Sequence, residues 1–223
     1  NLTVEAIPLR VPSQRNVLPT RFFADNHAKY QAIAEDVMLV QQLGRAVLIG
    51  TRSISDSETI AAKLAALNIE CQLLNGLQDA AEADIVSRAG YPGSVTIATN
   101  LAGRGTDIHL HSEVRANGGL HVIVAECQTS SRMDRQLIGR CARQGDPGSA
   151  QAYASAEDHL IAIHGPWLVE AMIREADANG EVDADFSSQL KRIQTSAERQ
   201  QYASRINMLR RDIARDSLLK SVR

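Results

Sequence analysis

The chain has 223 residues, of which 44% are hydrophobic and 22% charged, a composition typical of a soluble globular protein. A net charge of -2 gives no basic excess and disfavours nucleic-acid binding, and no apolar run approaches the ~18 residues of a membrane span. The three cysteines show no Cys-x-x-Cys spacing, which disfavours a disulfide or zinc framework. The chain begins at Asn1 without a signal-peptide pattern, so we expect a domain of a longer polypeptide.

Local patterns predict the first elements. Residues 2–8 alternate apolar and polar side chains and predict a short strand. Residues 11–23 contain two prolines and two arginines and are typical of a linker. Apolar positions spaced by three and four predict a helix over 25–43, closed by Gly44.

Strands and helices then alternate. Ser55 or Ser57 is predicted to cap a second helix, and a third helix is predicted over 80–89. Short apolar runs predict strands at 45–50, 70–74, 94–98, 120–125 and 150–155. This alternation indicates an α/β protein with a parallel sheet and helices on both faces, whose ligands bind beyond the carboxyl ends of the strands.

The C-terminal part is predicted to be helical. Residues 160–174 predict one or two helices, and residues 186–219, which contain no Pro or Gly, predict a long one. The long helix carries an apolar stripe formed by Leu190, Ile193, Ala197, Tyr202, Ile206, Leu209 and Ile213. Two interpretations stay open, because such a stripe packs either on its own domain or on a domain absent from this chain.

A glycine-rich loop follows the predicted strand 94–98. Gly103 and Gly105 permit positive φ, so that backbone N–H groups can meet an oxyanion, and Arg104 between them adds a cation. Asp107 is suited to accept from a ribose hydroxyl or to hold an arginine in place. The alternative interpretation is a tight turn with a surface arginine.

Residues 136–148 predict a helix that ends in a Gly/Pro-rich turn, and Arg140 and Arg143 lie at i, i+3 on this helix and so share a face. Gln136 lies one turn earlier and Gly139 allows close approach. Near a γ-phosphate such an arginine stabilises transition-state charge. Solvent-exposed ion pairs are the alternative.

Other signals are missing from the sequence. It has no Gly-x-x-x-x-Gly-Lys-Ser/Thr phosphate loop and no strand that ends in paired acids for Mg²⁺; the nearest, 122–126, is more typical of a core strand. His109 and His111 have no close Cys, Asp or Glu to complete a metal site. We therefore expect no ATP hydrolysis by this chain alone.

The two loops resemble a known family. Residues 96–108 resemble motif V of superfamily-2 helicase-type ATPases, in the version found in SecA preprotein-translocase ATPases, and residues 136–148 resemble motif VI. Further SecA-like landmarks occur in the same order at 48–54, 89–92, 118–123 and 155–158. The resemblance covers most of residues 1–160.

The resemblance implies a RecA-like second nucleotide-binding domain, the helicase C-terminal-like lobe, which closes over ATP held by a first lobe. It implies a connecting strand and linker at 1–20, the RecA-like domain at 21–160, and at 161–223 the start of a helical scaffold. It also implies that Arg140 and Arg143 act on the phosphates as arginine fingers in trans to the first lobe. The residues that it implies for nucleotide binding are Arg104, Gly105, Thr106, Asp107 and Gln136.

The resemblance further implies ATP as cofactor, with Mg²⁺ held mainly by the missing first lobe. The implied partners are that lobe of the same polypeptide, a preprotein and a membrane translocation channel, without nucleic acid. The implied location is cytoplasmic, with peripheral membrane association when the protein engages a channel. The competing hypotheses are the C-terminal lobe of a nucleic-acid helicase and a non-catalytic regulatory domain of the same fold.

The chain also departs from the family pattern. Ile138 replaces the usual arginine, Cys141-Ala142 replaces Ser-Gly, and the loop at 111–117 is shorter than the usual insertion. These differences indicate a divergent member.

Overall fold

The computed structural model describes residues 3, 5, 7–74, 79–99 and 107–221. Its strands are β1 (Gln14–Val17), β2 (Arg21–Phe23), β3 (Val47–Thr51), β4 (Gln72–Leu74), β5 (Val95–Thr99), β6 (Leu120–Val124), β7 (Pro147–Ser155) and β8 (Glu181–Val182). Its helices are α1 (Asn26–Gln42), α2 (Ile54–Ala66), α3 (Asp79–Arg88), α4 (Ser112–Ala116), α5 (Ser131–Ile138), α6 (His159–His164), α7 (Pro166–Glu175) and α8 (Ser187–Ser221).

Within these ranges the strands form one sheet in the order β4-β5-β3-β6-β7-β2-β8, and β1 also pairs with β7. The pairings are parallel except that of β2 with β8. The five predicted strands are therefore present, and the prediction of a parallel α/β sheet followed by a helical segment is confirmed.

Side chains alternate between the two faces of each strand, and helices cover both faces of the sheet. In β3, Val47 and Ile49 join a cluster with residues of α1 and α2, whereas Leu48 joins a second cluster with Val86 of α3 and Val114 of α4. A strand buried on both faces needs a nearly continuous apolar run, which is the pattern of β3 and, apart from His121, of β6.

The first helices begin at polar caps. Asp25 accepts a hydrogen bond from the Ala28 N–H at 2.8 Å and starts α1 as predicted. The predicted cap of α2 is wrong, because the cap is Ser53, which forms a capping box with Asp56. The Asp56 N–H donates to the Ser53 hydroxyl and the Ser53 N–H donates to the Asp56 carboxylate, so two backbone donors of the first turn are satisfied.

The prediction of a linker over 11–23 is also wrong in part, since both β1 and β2 lie within it. β1 is exposed along its whole length and pairs with β7 through its backbone. β2 buries Phe22 and Phe23. The predicted strand at 2–8 falls partly outside the described residues, and residues 3, 5, 7 and 8 have no regular structure.

The C-terminal segment forms two helices, α6 and α7, and then α8, a single helix of 35 residues. Leu190, Ile193 and Ala197 of α8 are buried in a cluster with Phe22 and Leu160. From residue 199 onward every α8 residue whose side chain is described is exposed, except the partly buried Ile206. The first interpretation of the apolar stripe therefore holds for its N-terminal part. Among the described residues, no helix combines the length and apolar character needed to cross a membrane.

Candidate functional site

The carboxyl edge of the sheet brings the two predicted loops together. β5 ends at Thr99, and Asp107 is the first described residue after the glycine-rich loop. Asp107 accepts a hydrogen bond from Arg143 Nη1 at 2.9 Å and another from Gln144 Nε2 at 2.8 Å. Of the two roles predicted for Asp107, holding an arginine is the one that this geometry contains.

The pair is partly open to solvent, with Arg143 38% and Asp107 32% exposed. The hydrogen bond from Arg143 lowers the pKa of Asp107, and partial burial opposes that effect. Arg143 also donates from Nε to the Gly139 carbonyl at 2.9 Å. Two bonds in different directions fix the plane of the guanidinium.

The predicted helical placement of the arginines is wrong. α5 ends at Ile138 with Gly139 as its C-cap, so Arg140 and Arg143 lie in a turn, which we call the arginine turn (residues 139–145). Two non-glycine residues of this turn, Ala142 and Gln144, have positive φ values of 54° and 55°. Such backbone is uncommon and is retained where surrounding contacts demand it, as at ligand sites.

Arg140 is partly buried and its N–H donates to the Leu137 carbonyl at 2.9 Å. Gln136 is exposed on α5. Asp107, Gln136, Arg140 and Arg143 all line one cleft of about 1340 Å³. Arg104, Gly105 and Thr106 lie outside the described residues.

The cleft has a positive lining. Its described lining includes five arginines, but only two carboxylates, Asp107 and Glu198. The arginines are Arg132, Arg135, Arg140, Arg143 and Arg205. A cleft with this charge raises the local concentration of anions.

Sequence reasoning missed the close approach that seats α5 on the sheet. A Cβ atom on Gly50 in β3 would lie 2.0 Å from Leu137 Cδ2, so the Leu137 side chain of α5 occupies the space that a larger residue at position 50 would take. The signal was present, because a glycine inside a buried apolar run often marks a close approach. Two residues that depart from the family pattern lie at this end of the sheet. Cys141 is fully buried in the core cluster that also contains Leu48 and Val114, and Ile138 packs against that cluster.

A buried ionic network at the ends of β6 and β7 was also missed. Lys29 of α1 forms an ion pair with Asp158, and both are inaccessible to solvent. Asp158 also accepts from the Ser155 N–H at 2.9 Å. Glu126, predicted to end an ordinary core strand, accepts from the His159 N–H at 3.1 Å, and burial raises its pKa. The signal was Lys29, a cation among the apolar positions of α1.

Two histidines, His111 and His121, have structural partners. His111 caps α4 and stacks on Tyr91 with ring centroids 5.7 Å apart. His121 is buried and shares hydrogen bonds with Ser149 at 2.7 Å and Asp36 at 3.0 Å. Among the described residues, no group of three or more His, Cys, Asp or Glu is placed to hold a metal ion.

Comparisons with known proteins match this architecture. A family model described as the SecA P-loop domain matches residues 12–115 and 109–181. The chain is 52% identical over 160 residues to protein translocase subunit SecA 2 of Magnetococcus marinus, which covers 72% of this chain and 25% of that protein. It is 39% identical over 225 residues to protein translocase subunit SecA 2 of Chlorobium chlorochromatii. That alignment covers 98% of this chain and 34% of that protein. The chain thus spans about a quarter to a third of the length of these relatives.

Solved structures show the same fold. A yeast DEAD-box splicing factor is 16% identical, with a TM-score of 0.56 over 85% of this chain and 39% of that one. The E. coli DEAD-box protein SrmB is 23% identical, with a TM-score of 0.50 over 69% and 83%. At these identities the likeness concerns the RecA-like helicase lobe as a fold.

Proposed function

Because the chain belongs to the SecA family, we propose that it is the C-terminal motor lobe of a SecA-like ATPase, which shares its ATP site with a first lobe. The observation that carries this proposal is the Asp107–Arg143 contact, which joins the motif V loop to the arginine turn at 2.9 Å. The positive lining of the cleft supports it, because ATP is a polyanion.

Each residue then has a defined role. Asp107 orients the Arg143 guanidinium, and Arg140 and Arg143 stabilise the negative charge that spreads over the transferred phosphoryl group. Gln136 and the loop residues Arg104, Gly105 and Thr106 contact the nucleotide. Mg²⁺ is held mainly by the first lobe, and this chain supplies arginines around the cleft.

Arginine variants of a polypeptide that carries both lobes test the proposal. For Arg140→Ala and Arg143→Ala we expect kcat for ATP hydrolysis to fall by about 10³-fold or more, with a much smaller change in KM. Exposed Arg192 of α8 provides the control, and Arg192→Ala should leave both constants unchanged. An unchanged kcat in both test variants would remove the arginine-finger roles.

The isolated chain gives a second test of the shared site. Residues 1–223 contain no phosphate loop, so we expect no steady-state ATP turnover by them and at most weak nucleotide binding. Appreciable turnover by this chain alone would contradict a site shared between two lobes.

We further propose that ATP turnover by the whole protein drives polypeptide movement through a membrane channel, with a preprotein as substrate and the protein acting from the cytoplasm. The relatives are named as protein translocase subunits, which supports this coupling. An assay of ATP-dependent preprotein uptake into inverted membrane vesicles tests it. We expect uptake to be lost in Arg140→Ala, whereas ATPase activity stimulated by RNA instead of preprotein would favour a nucleic-acid helicase.

A further inference from the structure

The N-terminal end of α5 is capped by a different helix. Its own N-cap residue, Ser130, makes no side-chain capping bond. Instead, Glu198 of α8 accepts from the Ser131 N–H at 2.7 Å and from the Ser131 hydroxyl at 3.0 Å. A carboxylate at this end also interacts favourably with the helix dipole. The capping group of α5 therefore belongs to α8.

A second bridge lies one turn earlier on α8. Gln194 Nε2 donates to Asp134 Oδ2 at 2.7 Å and to the Gln128 carbonyl at 2.7 Å. The other oxygen of Asp134 accepts from the Gln128 N–H at 2.9 Å. Gln194 and Gln128 are each only 8% exposed. Buried polar groups joined in this way resist displacement, because each would otherwise lose a partner.

These bridges determine where α5 lies. None of its eight residues is fully buried, and its packing against the core cluster comes from Leu137 and Ile138 at its C-terminal end. Leu137 seats its C-terminal end against Gly50, and α8 holds its N-terminal end. Contacts at both ends therefore fix the direction of the α5 axis.

The arginine turn follows directly after the C-terminal end of α5. The Arg140 N–H bonds to the last turn of α5, and the Arg143 side chain bonds to the Gly139 carbonyl. α8 is anchored beside it, since Ile193 and Ala197 are buried in the core. α8 also lines the arginine cleft with Glu198, Tyr202 and Arg205.

We propose that Gln194 and Glu198 are positioning residues for Arg140 and Arg143. They act through α5: α8 fixes its first turn, and α5 fixes the turn that follows it. The rate of ATP hydrolysis then depends on the placement of α8. This inference rests on the proposed function, because it assumes that the arginines act on ATP.

The test uses ATPase kinetics of the polypeptide that carries both lobes. For Glu198→Ala we expect kcat to fall about tenfold with KM for ATP unchanged, since a displacement of about 1 Å costs up to ~100-fold in rate. Glu198→Gln keeps an acceptor for Ser131 and should retain most of the rate. Gln194→Leu should resemble Glu198→Ala. Exposed Gln200 gives the control, and Gln200→Ala should match the parent.

A double variant separates positioning from general destabilisation. In an Arg140→Ala/Arg143→Ala background, Glu198→Ala should lower the residual rate no further. An additional fall there, or an unchanged kcat for both Glu198→Ala and Gln194→Leu in the parent, would overturn the positioning role. If the arginine variants themselves keep full kcat, the proposed function fails instead, so the two failures are distinguishable.

Discussion

Two ion pairs at the carboxyl side of the sheet differ in access to solvent. Lys29 and Asp158 are 0% and 2% exposed, whereas Arg143 and Asp107 are 38% and 32% exposed. No phosphate can compete for a cation that solvent cannot reach. The buried pair joins α1 to the turn before α6, and the open pair presents a guanidinium to the cleft. The pair that is expected to contribute less to stability is therefore the one that a ligand in the cleft can reach.

Asp134 is a third carboxylate of interest, because it is largely buried like Asp158 but has no cationic partner among the described residues. It is largely buried, and its hydrogen-bond donors are the Gln128 amide N–H and the Gln194 side-chain amide rather than a cation. Burial raises the pKa of Asp134 to about 6, and these hydrogen bonds oppose the shift. The pKa values of Asp107, Asp134 and Asp158 therefore show two opposing influences: burial raises the pKa of a carboxyl group, and a cationic partner lowers it.

The largest expected effect is that of breaking the buried pair. Lys29→Met leaves Asp158 buried without its cation, which should lower the free energy of unfolding by about 3–5 kcal/mol. Urea unfolding followed by circular dichroism measures it, with Lys191→Met at an exposed position of α8 as control. Addition of Asp158→Asn should restore part of the loss. Equal midpoints for Lys29→Met and the control would show that the buried pair is not structural.

Asp134 gives a pH-dependent effect of intermediate size. Because its folded pKa of about 6 exceeds the unfolded value, it stabilises the fold below about pH 4, and that contribution is lost as pH rises through 6. Relative to Asp134→Asn, the parent should therefore lose on the order of 2 kcal/mol between pH 4 and pH 7. Urea unfolding across this range checks the slope. As a control, replacement of the exposed Asp183 in Asp183→Asn should leave the pH dependence of stability unchanged. If the free energies of unfolding of the parent and of Asp134→Asn run parallel from pH 4 to pH 7, the raised pKa of Asp134 is contradicted.

A smaller effect is expected in the arginine turn. Ala142 has a φ of 54°, which glycine adopts without strain, so Ala142→Gly should stabilise the fold by about 0.5–1 kcal/mol. Thermal unfolding of the two proteins measures the difference. Ala116→Gly, at the end of α4, should change stability in the opposite direction, because glycine weakens a helix. A loss of stability in Ala142→Gly would exclude strain at this position.

The smallest expected effect is that of breaking the open pair. Arg143→Ala should change the free energy of unfolding by less than about 1 kcal/mol, although we propose that ATP turnover depends on this residue. Arg88→Ala, which breaks an exposed ion pair with Asp84 on α3, should have a similar small effect. A loss in Arg143→Ala as large as that in Lys29→Met would remove the contrast between the two pairs.

Much of the fold was accessible from sequence because buried strands and long helices have strong periodicity. β3, β5 and β6 are short, mostly apolar runs that are buried along their whole length, and α8 has no Pro or Gly over its length. β1 was missed because Gln14–Val17 is exposed and pairs through its backbone, which leaves no side-chain pattern. The cap of α2 was misplaced because neighbouring serines have equal intrinsic preference for that position.

The candidate site was predictable in composition but not in geometry. The sequence identified Asp107, Arg140 and Arg143, and motif order related them. It placed the arginines on a helix because an i, i+3 spacing is compatible with one, yet Gly139 ends α5 before them. Positive φ at Ala142 and Gln144 has no local signal, because contacts made after folding select it.

The sequence by itself determined the five central strands, their order along the chain and the residue types at the carboxyl edge of the sheet, because periodicity and glycine placement are local properties. Only the tertiary structure decided which partner each charge receives. Arg143 lies next to Asp107 and Lys29 lies next to Asp158, although both pairs are far apart in the chain. Only the tertiary structure also decided that Gln194 and Glu198 hold α5, because long-range hydrogen bonds depend on how helices pack.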